Sequence, residues 1–179
     1  MESGTPLVEL DKLVGLFFGQ INDLGEFSVI PPVQLPEPQR SLLHHEHHMT
    51  VTVEKFHSSA VDVQVLRELN DSSSYSREIC LHRKSDQKVV QYGIVRLNFD
   101  HLGNAARQEI LLRQKPLGRI LIEHDILRKV RLLGLYEIRP TENLAKKLDC
   151  DSQQSVFGRT AIIYCNEEPA IELLEIVTV

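Results

Sequence analysis

The sequence predicts an α+β fold: an antiparallel sheet of about six strands, with helices at its start and middle. Three observations carry that prediction. Two stretches of paired alternation, 75–82 with 88–98 and 158–165 with 170–178, each joined by a short polar turn, read as β-hairpins. Helical patterns at the start and in the middle of the sequence supply helices to lie beside an antiparallel sheet. A chain of 179 residues with 42% apolar and 25% charged content suits one domain with a substantial core.

The elements follow in order. Residues 6–24 read as an amphipathic helix, because Leu10, Leu13, Val14, Phe17, Phe18 and Ile21 recur at helical spacing. Pro31, Pro32, Pro36 and Pro38 then forbid regular helix, so residues 1–40 form a helix and connector leading into a domain that fills residues 1–179. Val61-Asp62-Val63-Gln64-Val65 alternates as a strand, and Asp71-Ser72-Ser73-Ser74 turns the chain. Lys84-Ser85-Asp86-Gln87 closes the first hairpin. Residues 102–125 are helical in composition, broken at Pro116-Leu117-Gly118. Residues 130–138 form another strand, and Thr141 is placed to cap a short helix through Leu148. The final hairpin turns through Asn166-Glu167-Glu168-Pro169.

Composition excludes several roles. A net charge of −5 without a dense basic stripe gives no nucleic-acid platform. No apolar run is long enough to span a membrane, and Met1 does not open a signal segment. Cys80, Cys150 and Cys165 are odd in number and lack zinc spacing, which points to reduced thiols in a cytoplasmic protein. His44-His45-Glu46-His47-His48 invites a metal reading, but the HExxH spacing is absent and no third ligand is placed, so no metal is expected.

Two charges stand out by strand parity. Arg77 shares its strand face with Ile79 and Leu81, and Glu175 shares its face with Ile171, Leu173 and Val177. Both therefore project toward an apolar interior, where an uncompensated charge costs several kcal/mol. Either they form a buried ion pair or they line a polar pocket. Arginine's planar donor fork suits a small-molecule carboxylate.

An ordered set of short motifs resembles the chorismate pyruvate-lyase (4-hydroxybenzoate synthetase) family: Met49-Thr50, Arg77-Glu78-Ile79, Pro116-Leu117-Gly118-Arg119, Phe157-Gly158-Arg159, Pro169 and Glu175. The resemblance runs loosely from about Leu42 to the end. It implies a chorismate lyase-like sheet with helical flaps over a buried ligand cavity, and a cofactor-independent carbon–oxygen lyase. Such an enzyme, serving ubiquinone-type or aromatic biosynthesis, converts chorismate or a related enolpyruvyl ring acid to 4-hydroxybenzoate and pyruvate. By that resemblance, Arg77 and Glu175 are the catalytic pair, Arg77 gripping the ring carboxylate and Glu175 facing the ring hydroxyl. Met49 and Leu117 would supply apolar walls. A second carboxylate calls for a second cation among Arg96, Arg119 and Arg159. The family's Gly-Arg-Thr strand is replaced here by Gly93-Ile94-Val95-Arg96, which leaves Arg96 in a shifted position. Residues 49–54 read locally as strand by β-branched content, whereas the resemblance implies helix, the reading adopted. The alternative function is a non-catalytic sensor or carrier of a small aromatic acid. Effector domains of some transcription regulators share the fold, but residues 1–40 are too short and acidic to supply a DNA-binding domain.

Overall fold

The chain is described from a computed structural model covering residues 10–126 and 128–179. Its centre is a seven-stranded antiparallel sheet in the order β1-β5-β6-β7-β4-β3-β2, one strand more than expected. The strands are β1 (Gly25–Val29), β2 (Val61–Asn70), β3 (Ser74–Arg83), β4 (Val89–Asn98), β5 (Arg128–Pro140), β6 (Val156–Cys165) and β7 (Glu168–Val177). The helices are α1 (Leu10–Val14), α2 (Gln39–Leu43), α3 (Met49–His57), α4 (Asn104–Leu111), α5 (Leu117–Glu123) and α6 (Glu142–Leu148). This is the α+β, chorismate lyase-like fold.

Both hairpins form as expected, and the sheet joins them through β4 and β7. The last turn is tighter than expected: Asn166 and Glu167 both adopt positive φ (52° and 71°), so two residues reverse the chain and Pro169 already belongs to β7. The added strand is β1, an edge element paired with the end of β5 (Phe27 opposite Ile138). Only Gly25 of its five residues is buried, so it carries no alternating pattern to announce it. The opening helix is shorter than expected. It ends at Val14, followed by turn-like bonds such as Leu16 N–H to Leu13 C=O, and the expected residues 6–9 lie outside those described. Segment 49–57 is helical despite four consecutive β-branched residues, since helical spacing buries Met49, Thr50 and Val53 together.

Strand parity sorts the core onto two sides. Cys80, Tyr92, Ile94, Leu174 and Ile176 meet Leu13, Val14, Leu144 and Leu148 from α1 and α6. Across the sheet, Leu97, Ala161, Ile171 and Leu173 meet Ala106, Ile110, Ile120 and Leu121 from α4 and α5. On that same side, Ile79, Leu81 and Val90 meet Met49 and Val53 of α3. The flap pair α3 and α5 is in close contact: a Cβ on Gly118 would stand 2.9 Å from Thr50 Oγ1.

Candidate functional site

Beneath α3 and α5, on the sheet face bearing the odd-numbered residues of β3, β4 and β7, lies a cavity of about 40 Å³. An apolar cavity of about 150 Å³ accepts a benzene ring. The closed site therefore holds little more than a small polar group, and a ring-sized ligand enters only if the flaps move. Arg77, Met49, Leu117 and Glu175 all line it.

Register places the polar groups along the floor. Gly93 stands opposite Glu175, which stands opposite Arg159, forming a row across β4, β7 and β6. Arg77 lies opposite Val95, toward one end. Gln91 lies opposite Leu81, toward the other. At about 3.4 Å per residue, the four-residue backbone step from Val95 to Gln91 spans about 14 Å.

Arg77 is 1% exposed, and its Nε and Nη1 have no hydrogen-bond partner. Burial pulls its pKa down, against the weaker opposing influence of the Tyr75 hydroxyl and Glu68. Glu68 does not form an ion pair with it, and is bonded instead by Tyr75 (2.8 Å) and Arg113 (3.0 Å). Gln91 is also buried, with Oε1 unpartnered.

Arg159 is the opposite case. Its Nε donates to Glu175 Oε2 at 2.7 Å, its Nη1 to the His45 carbonyl at 2.8 Å, and its Nη2 to the His47 carbonyl at 3.1 Å. One guanidinium thus ties the histidine-rich segment between α2 and α3 to the sheet. Nη1 also stands 3.3 Å from His45 Nδ1. Burial, then the Arg159 charge, pulls His45 down to about 4. Burial and Arg128 pull His48 down to about 4, and Arg128 Nε bonds His48 Nε2. Both imidazoles therefore stay neutral near pH 7 and accept from arginine. His44 closes α2 while His48 precedes α3, so the two never share a helix face. Among the described residues, no three His, Cys, Asp or Glu side chains gather as metal ligands.

Arg96 does not join the site. Its parity turns it to the other face, where it pairs with Glu172. Arg119 points outward from α5 onto Glu54. Of the three cations considered for a second carboxylate, Arg159 is the one at the cavity, and its charge is already met by Glu175. Gln91 went unnoticed in the sequence, although the parity argument that singled out Arg77 applies to it: it shares a strand face with Gly93 and Val95.

No family model matches the sequence, and no curated protein is similar to it. Solved structures are similar in fold. The gene product SA0254 from Staphylococcus aureus superposes with a TM-score of 0.51 at 9% identity, over 76% of this chain and 90% of that one. The effector domain of PhnF from Mycobacterium smegmatis gives 0.50 at 13% identity, over 73% and 87%. Against the PhnF structure as a whole (TM-score 0.49, 12% identity), 73% of this chain aligns and spans 63% of that chain. Other neighbours include the ligand-binding domain of a GntR-family transcriptional regulator from Bordetella bronchiseptica and a GntR-family transcriptional regulator from Bacillus cereus.

The expectation of a carbon–oxygen lyase is corrected by these findings. The structural neighbours are mostly domains of transcriptional regulators, among them the effector domain of PhnF. The carboxylate expected to face a ring hydroxyl, Glu175, is also engaged by Arg159. What the likeness shows is the fold: a chorismate lyase-like sheet and flaps, shared with regulator effector domains.

Proposed function

We propose that this domain is a non-catalytic receptor for a small anionic molecule, acting as the sensing part of a regulator. One observation carries the reading: a buried guanidinium at the cavity with two nitrogens, Nε and Nη1, left without a hydrogen-bond partner. A buried cation without a partner costs several kcal/mol, and native chains keep few unpaired polar atoms. A carboxylate or similar anion seated on Nε and Nη1 would remove that cost through charge-assisted bonds.

The N-terminus of α3 supports the same reading. Its first residues, Met49 and Thr50, line the cavity, and His48 provides no side-chain cap. Uncapped N–H groups with the positive end of the helix dipole favour an anion. The likeness to an effector domain fits a protein that senses rather than converts its ligand.

The test is Arg77→Met, which keeps much of the stem and removes the charge. The ligand-free variant is expected to be more stable than the parent by about 1–4 kcal/mol in urea unfolding, the gain found when buried charges are replaced by apolar groups. Benzoate and 4-hydroxybenzoate at millimolar concentration are expected to raise the melting temperature of the parent but not of the variant. A variant several kcal/mol less stable than the parent would show Arg77 to be a structural residue and end the proposal.

A further inference from the structure

The cavity's polar atoms also define what kind of anion fits. Resting on the receptor reading above, we infer that the ligand is a monoanion with a hydroxyl or amide at its far end, that end being selected by Gln91.

Charge sets the first half. The residues of fixed charge that line the cavity are Arg77, Arg159 and Glu175. Arg159 and Glu175 neutralise one another, and Arg159 is further engaged by backbone carbonyls of the histidine-rich segment. The Glu68 carboxylate near Arg77 is itself met by Arg113. Arg77 is left as the one of these three charges without an ion-pair partner, so one negative charge completes the site. A second carboxylate would meet Glu175 or displace it from Arg159, breaking a buried pair, which is costly.

Geometry sets the second half. Gln91 Oε1 is a buried acceptor without a donor, on the same face as Arg77, and the backbone positions of the two residues are about 14 Å apart along the strands. Leaving it unmet on binding carries a desolvation cost, so a ligand bringing a donor there is favoured over one ending in a methyl group. Leu81 lines the Gln91 end and Val95 and Leu173 the Arg77 end, while midway Ile79 stands opposite Gly93 in the row that carries the Glu175–Arg159 pair. The unmet atom is the amide oxygen, which only accepts, so a hydroxyl or an amide N–H satisfies it, whereas an ionised carboxylate has no proton to donate to it.

The experiment compares three homologous series by calorimetry, each from four to eight carbons: ω-hydroxyalkanoates, alkanoates and α,ω-dicarboxylates. The intact chain and Gln91→Met are titrated side by side. The expected result is that at the best-fitting length the hydroxy acid binds the parent about 10-fold more tightly than the alkanoate and more tightly than the dicarboxylate. Gln91→Met, of similar shape but without the amide, is expected to bind the hydroxy acid and alkanoate equally. Dicarboxylates binding best would overturn the inference, since a second cation would then be in use. Hydroxy acid and alkanoate binding the parent equally, or a preference that survives in Gln91→Met, would overturn the role of Gln91 while leaving the receptor reading standing. Absence of binding by all three series overturns the inferred ligand class, and the Arg77→Met stability measurement then decides separately whether the receptor reading also fails.

Discussion

Arg77 and Arg159 are both 1% exposed and line one cavity, yet their guanidinium groups are in opposite states. Arg159 is bonded to a carboxylate and to flap carbonyls, whereas two nitrogens of Arg77 have no hydrogen-bond partner. Opposite consequences of one substitution follow. Arg159→Met removes the cation that neutralises Glu175 and unfastens the histidine-rich segment, so a loss of about 3–5 kcal/mol in urea unfolding is expected. Replacing Glu175 by Leu in the same chain is expected to restore part of that loss, since no unpaired charge then stays buried. Arg77→Met, in contrast, is expected to stabilise. A parity argument on the sequence placed Arg77 and Glu175 inside, because side-chain alternation is a local property of a strand. It left open whether they met each other. Glu175 meets Arg159 because β6 lies beside β7 and sets those residues opposite one another, and no local pattern encodes that adjacency.

At the scale of elements, the hairpins were legible because turn residues and alternation are local signals, while β1 was not, being a short and mostly exposed edge strand. Helix α3 contradicts its own β-branched content, and packing of its buried side against the sheet and α5 decides its conformation. The α3–α5 contact depends on Gly118. Alanine in a helix normally gains up to about 1 kcal/mol over glycine. Here its Cβ would press on Thr50 Oγ1 at 2.9 Å and Thr50 Cβ at 3.3 Å. Gly118→Ala is therefore expected to lower stability by about 1–2 kcal/mol through overpacking, measured by urea unfolding. Adding Thr50→Ala is expected to recover most of it, and a variant as stable as the parent would show that the flaps part freely.

Over the whole molecule, the neutral imidazoles of His45 and His48 couple the closed flap to pH. Folding takes each from an ordinary 6.5 to about 4, so below pH 6.5 the unfolded chain binds protons that the folded chain does not. Their contribution is complete above about pH 7 and is lost as pH falls toward 4. Both rings are partly open to solvent, so the loss is on the order of 1 kcal/mol each. Urea unfolding between pH 7.5 and 4.5 is expected to show this decline, and a His45→Gln, His48→Gln double variant a shallower one. The sequence by itself determined the strand-and-helix content, the hairpins, and the inward aim of Arg77 and Glu175, all properties of neighbouring residues and their periodicity. Only the tertiary structure decided that Glu175 is neutralised while Arg77 is not, that Arg96 faces away, that Gln91 shares the cavity, and that the closed space is too small for a ring. Those outcomes depend on which strands lie side by side and how tightly two helices cover them. They are long-range relations, which no local pattern of neighbouring residues carries.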